Sequence, residues 1–405
     1  MTRPTLWNRR TFLQRLGYLS GLAVFRPHST WSLLGKSHRV LGSRTAENTP
    51  GRLFAYVGSQ GHGIQVFAVE NNGWMLAQTI ASDKPSCLAL HPSRNFIYAV
   101  NEIDQYQGLP AGTVEAYSIN ARDGRLTLLN RQPLSLSATA PRYLAISPDG
   151  SKLIVAVHGG GSYNLLPIRP DGWLERVSAI LKEVGSGPDQ ERQNAAHPQM
   201  VLFDTTQDRL LSADLGSDRL NVFTLAEDRL TVTHRYSTEP GSGPRLLALH
   251  PSGRVLYVMN ELNASISCFG YDAASGRILD RLHHEPLHHA LPVKDAATAA
   301  MTMHPSGNFL YTSRSCSIES SSPGSRITAW RMDPATGKLD LIRESDRWIK
   351  PSCVGSMVPA HNALFVLSQT EGISRLDFDP ASGSLDHAVQ VAEVSAPKSM
   401  VLQYL

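Results

Sequence analysis

In the segment GPRLLALHPSGRVLYVMNE, residues 243–261, an apolar run from Val255 to Met259 ends on Asn260 and Glu261, and Arg245 stands near its start. An arginine presents a fixed fork of donors to oxygens, and a carboxylate can take up a proton. Together they suit acid–base chemistry on an oxygen-rich substrate. Reworded copies of the segment carry groups of the same kind. Arg142, His197 with Gln199, and Arg245 stand where the matching runs begin; Asn101 with Glu102, His158, Asp214, Asn260 with Glu261, and Arg314 stand where the second runs end. One polar residue at one strand end is ordinary, because strands stop at solvent. A set of Arg, Glu, His and Asp converging on a water-filled funnel would bind an anionic or polyhydroxylated molecule and move its protons.

The elements that must position these residues follow from the repeat. PSCLALHPSRNFIYAVNE from 85, PRYLAISPDGSKLIVAVHGG from 141 and HPQMVLFDTTQDRLLSADLG from 197 align with PRLLALHPSGRVLYVMNE from 244, AAMTMHPSGNFLYTSRS from 299 and PSCVGSMVPAHNALFVLSQ from 351. Their matched turn positions, 91, 147, 204, 250, 304 and 358, are 46 to 57 residues apart, the period of a four-stranded propeller blade. A third, alternating strand follows in TVEAYSI, RLNVFTL, SISCFGY and RITAWRM, and turns such as MDPATGKLDLI lead into an outer strand. The segment RLFAYVGSQGHGIQVFAV at Arg52 begins with a second strand, whereas PKSMVLQYL at Pro397 matches a first strand with nothing after it. The chain is therefore expected to be all-β, a seven-bladed β-propeller closed by the C-terminal strand completing the N-terminal blade. First strands line the channel of such a ring and second strands run back beside them, so the chemical residues belong at one mouth.

Composition fits this picture: 41% hydrophobic residues with 31 Gly and 25 Pro argue for many turns, and a net charge of +3 with no long basic run does not point to nucleic acid. Residues 1–50 read as a twin-arginine signal and linker, and 51–405 as the propeller. Arg9 and Arg10 precede Phe12, Leu13 and an apolar run from Leu16 to Phe25, which is too short for a stable membrane span. Asn8 and Gln14 depart from the usual signal. This implies the twin-arginine export machinery as a partner and a periplasmic or secreted location. Cys87, Cys268, Cys316 and Cys353 are widely spaced within apolar runs and read as buried thiols. HGGGS at 158–162 lacks a Gly-x-Ser-x-Gly companion and reads as a turn bringing backbone toward the channel. HHEPLHHA, with His283, His284, His288 and His289, reads as a solvated loop between blades, and neither metal nor cofactor is expected.

Several of these segments together resemble the lactonase family of seven-bladed propellers, which includes a bacterial 6-phosphogluconolactonase and fungal carboxymuconate-cyclising enzymes. The resemblance covers about residues 52–405 and is most specific in GPRLLALHPSGRVLYVMNEL and ADLGSDRLNVF. It implies a site of His197, Asp214, Arg245, Glu261 and Arg314. The chain departs from the family pattern at Gln199, Leu246 and Thr302, where histidine is frequent, and in PSCV at 351. The implied activity is hydrolysis of a sugar-acid lactone, similar to 6-phosphogluconolactone, or of a related lactone or organic acid. Glu261 or His197 would be the base, and Arg245 with Arg314 would bind carboxylate or oxyanion. Asp214 would orient His197 or an arginine, with Arg142, His158, Asn260 and Glu102 completing the substrate site. Two alternatives use the same residues: a carboxymuconate-type lactone cyclase or cycloisomerase, and a non-catalytic periplasmic ligand-binding propeller. Export would favour an unphosphorylated sugar lactone or an aromatic-derived one.

Overall fold

The computed structural model describes residues 51–405 apart from 71–72, 205–208, 227, 288–295, 317–324, 345–353, 361–362 and 370, and gives backbone alone for 296–299, 314–316, 325, 354–355 and 360. The signal expected at residues 1–50, His288, His289 and Cys353 lie outside the described residues, as does the side chain of Cys316.

Apolar alternation and frequent turn residues produce strands throughout, with no helix among the described residues. The first blade holds β1 (Leu53–Ser59), β2 (Gly63–Glu70) and β3 (Gly73–Ile80). The second holds β4 (Pro85–Leu90), β5 (Phe96–Asn101), β6 (Thr113–Ile119) and β7 (Leu126–Pro133), and the third β8 (Pro141–Ile146), β9 (Lys152–Val157), β10 (Ser162–Pro167) and β11 (Ala179–Lys182). Then come β12 (Pro198–Asp204), β13 (Arg209–Asp214), β14 (Arg219–Ala226) and β15 (Arg229–Ser237), followed by β16 (Pro244–Leu249), β17 (Val255–Asn260), β18 (Ser265–Asp272) and β19 (Arg277–Pro286). The last two complete blades are β20 (Ala296–Met303), β21 (Phe309–Cys316), β22 (Ser325–Met332) and β23 (Leu339–Glu344), then β24 (Val354–Ala360), β25 (Ala363–Ser368), β26 (Gly372–Asp377) and β27 (Val389–Ala392). The final strand, β28 (Pro397–Tyr404), pairs with β1, so the first sheet runs β28-β1-β2-β3. Seven antiparallel four-stranded sheets result, closed as expected by the C-terminus.

The inner turns explain the repeated His-Pro-Ser-Gly wording. Gly150, Gly253 and Gly307 hold φ of 77°, 67° and 75°, a conformation that glycine enters without steric cost. The histidine links blades: His91 Nε2 lies 2.9 Å from the Gly150 carbonyl, and His250 Nε2 lies 2.9 Å from that of Gly307. Aromatic residues opening three of the second strands wedge into the next blade's outer turn. A Cβ on Gly124, Gly172 or Gly383 would come within 2.4 Å of Phe54, Phe96 or Phe309 respectively.

Two local expectations change. The turn expected at 358 falls later, because β24 continues through Val358 to Ala360; Pro359 is tolerated there since an innermost strand has one unpaired edge. His283 and His284 are not in a loop but on β19, paired with Cys268 and Ser267. Cys87 and Cys268 are free and buried, and burial pushes the Cys87 thiol up to about 11.

Removing residues 397–405 would strip β1 of its channel-side partner and uncover Ala55, Val57 and Leu367, which share a core cluster with Met400. A truncated chain is expected to melt several degrees lower, given that a few kcal/mol shifts a domain of this size by that much. An unchanged calorimetric melt would show that β28 does not close the ring.

Candidate active site

The same irregularity begins every innermost strand. Register slips by one residue after Pro85, Pro141, Pro198, Pro244, Thr298 and Val354, and again where Ser399 and Pro397 of β28 face Gly58 and Ser59. An extra residue at such a bulge is left out of the ladder and re-aimed. Those residues are Ser86, Arg142, Gln199, Arg245, Ala299, Gly355 and Lys398, one per blade. Lys84, Ala140 and Ala396, each just before the proline, hold φ of 45°, 45° and 46°, strained for residues with a Cβ.

Ser86, Arg142, Gln199, Arg245 and Lys398 line one end of a continuous central cavity of about 740 Å³, with Glu102 beside them. Glu102 Oε1 lies 3.1 Å from Arg142 Nε. Glu261 sits beneath, its side chain 11% exposed, with Oε2 accepting from Arg245 Nη1 at 2.8 Å and Oε1 paired with Arg192. Burial alone would raise the Glu261 carboxyl, but Arg245, Arg192 and Arg142 outweigh it and hold the group below the usual carboxylate range. Glu261 is thus a fixed anion that holds two arginines.

His158 and His197 stack beside this ring, centroids 4.5 Å apart and planes 27° apart. His197 Nδ1 donates to the His158 carbonyl at 3.0 Å, and Asn194 Oδ1 stands 3.0 Å from Nε2. The Gln199 amide donates to His158 Nδ1 at 2.7 Å. Burial, reinforced by Arg142, His197, Arg192 and Arg245, depresses His158 to about 3 and keeps it neutral. Asp214 is fully buried and grips backbone: Oδ1 accepts from the amides of His197 at 2.7 Å and Gly216 at 3.0 Å, and Oδ2 from Ser217 Oγ at 2.7 Å. Burial outweighs these bonds and raises its carboxyl. It positions the His197 main chain, not the ring. Glycine at 216 is required by space, because a Cβ there would lie 1.8 Å from the Ala195 carbonyl oxygen.

Arg142, Arg245 and Glu102 therefore reach the cavity, whereas Glu261, His158, His197 and Asp214 support it from behind. Asn260 is not brought there; it is 1% exposed inside its own blade and donates to Ser265 and Ser267 at 3.0 Å each. Arg314 lies on β21 opposite Thr298, with its side chain outside the described residues. The HGGGS glycines approach the 137–139 loop instead of the channel, since a Cβ on Gly159 or Gly160 would meet Thr139 or Ser137. Lys398 and Gln199 share a signal visible in the repeat, the position after each inner proline. Arg192 has none. It comes from the 183–197 connection, pinned where Gln193 Nε2 donates to the Leu215 carbonyl at 2.8 Å and Asp189 Oδ1 accepts from the Arg192 amide at 3.0 Å.

The depressed His158 has a sign that can be checked. The unfolded chain takes up this proton below about pH 6.5 while the folded chain does not, so stability is lost as pH falls from there toward 3. At pH 5 the loss is about 2 kcal/mol from this group. Urea melts at pH 7 and pH 5 should show a larger drop for the parent than for His158→Gln; equal drops, or a ring titrating near 6.5 by NMR, would contradict the burial argument.

The family described as "Lactonase, 7-bladed beta-propeller" matches residues 52–351. A 6-phosphogluconolactonase of Bacillus subtilis is 27% identical over 229 residues, 56% of this chain and 63% of that protein. One from Formosa agariphila is 25% identical over 351 residues, 84% of this chain and 95% of that protein. The solved Pseudomonas aeruginosa periplasmic gluconolactonase superposes with a TM-score of 0.76 at 24% identity, covering 86% of this chain and 99% of its own. With the family matched over most of the propeller, the chain belongs to the lactonase family of seven-bladed β-propellers.

Proposed function

We propose that the protein hydrolyses a lactone whose ring carbonyl is bound at the charged mouth. The observation that carries this reading is the charged mouth itself: Arg142, Arg192 and Arg245 pair with the carboxylates Glu102 and Glu261, and Arg142, Arg245, Glu102 and Lys398 line one ligand-sized cavity. The names of the curated relatives support it. Ester hydrolysis needs a base for the attacking water and positive charge where the carbonyl oxygen becomes an oxyanion.

Glu102 is better placed as base than Glu261 or His197. It lines the cavity, while both Glu261 oxygens are held by arginines and His197 has partners at both nitrogens. Water adds to the carbonyl carbon as Glu102 takes its proton. Arg245 and Arg142 neutralise the tetrahedral oxyanion, the ring C–O bond breaks, and the proton on Glu102 passes to the departing alkoxide. The product is a hydroxy acid whose carboxyl group releases its remaining proton to solvent, and the new carboxylate stays paired with the arginines. A sugar-acid lactone of the 6-phosphogluconolactone kind is one substrate of this description. The saturation of Glu261 and His197 favours a second reading, a ring that binds an organic acid without turning it over.

The activity is tested with glucono-, 6-phosphoglucono- and muconolactones, following acid release. Glu102→Gln is expected to lower kcat by about 100-fold or more with the fold intact, as for removal of a general base, and Glu261→Gln to act mainly on KM by loosening Arg245. Full activity of Glu102→Gln removes it from the mechanism. A blank panel from folded protein selects the binding reading. Periplasmic action rests on Arg9 and Arg10. Changing both to lysine should leave the protein in the cytoplasmic fraction; unimpaired export of the double variant would exclude twin-arginine transport.

A further inference from the structure

Behind the charged ring the cavity changes character. Arg142, Arg245 and Lys398 occupy the second position of their strands, and from the third position onward the walls are mostly apolar. Leu246, Ala248, Met301, Met303, Val358 and Val401 all line this bore and are partly exposed to it. Innermost strands also present backbone edges toward the axis, and two of those amides find partners on the innermost strand of another blade. The Leu88 amide donates to Ser399 Oγ at 2.9 Å and the Leu247 amide to Met200 Sδ at 3.1 Å. A hydroxyl-rich molecule reaching into the bore would meet the hydroxyls of Thr302, Ser356 and Ser399 among mostly apolar side chains, and each hydroxyl left unmatched there would cost free energy. An alkyl or aryl group there would gain from burial. Cations and bore belong to one cavity of about 740 Å³, enough for a ligand larger than a bare lactone ring.

We propose that the site is built for an anionic ligand with an apolar substituent: its carboxylate or lactone carbonyl sits on Arg142, Arg245 and Lys398, and the substituent extends down the bore past Leu246 and Met301. The identity of the head group as a lactone or its opened acid rests on the hydrolase reading; the apolar subsite does not. Met301 and Met303 suit such a role, since an unbranched thioether side chain adapts to ligands of different outline.

The test is a binding experiment on the full protein that needs no turnover. Calorimetric titration with butanoate, hexanoate, octanoate and decanoate should give a Kd that falls about fourfold for each added methylene, until the bore is filled. Gluconate and 6-phosphogluconate should bind more weakly than octanoate. Leu246→Gln and Met301→Gln, two variants in case one misfolds, should flatten the chain-length series while butanoate binding stays within twofold. A flat series in the parent, a series that both folded variants leave steep, or tighter binding of 6-phosphogluconate than of octanoate overturns the proposal. A steep series from a protein inert toward every lactone keeps the subsite and rejects the hydrolase reading, whereas lactone turnover with a flat series does the reverse.

Discussion

Closing seven twisted sheets into a ring forces seven strands to converge on one axis, each with one edge that has no strand to pair with. Everything at the mouth depends on how those strands begin. Proline starts five of them, where its missing donor costs the ladder least, and the bulge that follows swings one residue in each of those blades out of register. The bulge makes a ring of side chains from what would otherwise be a ring of backbone. Because each blade supplies its own residue at that point, a uniform scaffold carries an uneven set: Arg142 and Arg245 alongside Gln199, Ser86 and Lys398.

Gathering that much positive charge needs compensation, and the structure provides it in layers. Glu261 lies under the ring at 11% exposure, where its interaction with Arg245 and Arg192 is weakly screened. Glu102 neutralises Arg142 at the cavity wall. His158 meets the same field by staying uncharged, so its ring can accept from Gln199 and stack on His197 without adding repulsion. Behind these groups Asp214 holds the main chain of His197, and the absence of a side chain at Gly216 lets the 195–197 segment lie against it.

The blades, their order and their closure were legible in the sequence because they rest on local signals: apolar alternation, His-Pro-Ser-Gly turns, and the incomplete units at Arg52 and Pro397. Much of the mouth was legible for the same reason, since the repeat carries Arg142 and Arg245 to equivalent strand starts and Glu102 to a strand end at the same mouth. Roles were not. Asn260 and Glu261 are neighbours in the chain, yet strand alternation sends the first into its own blade to bond Ser265 and Ser267 while the second meets arginines from two other segments.

Arg192 shows most clearly where one-dimensional reading stops. It stands in a non-repeating connection, and only the fold brings it across to a carboxylate 69 residues later in the chain. The apolar bore likewise exists only once Leu246, Met301, Val358 and Val401, from four separate blades, face one another. By itself the sequence determined the architecture, because hydrophobic period and turn chemistry act over a few residues. The tertiary structure decided which carboxylate meets the cavity and which is sealed beneath arginines, because burial and charge pairing depend on distances between segments far apart in the chain.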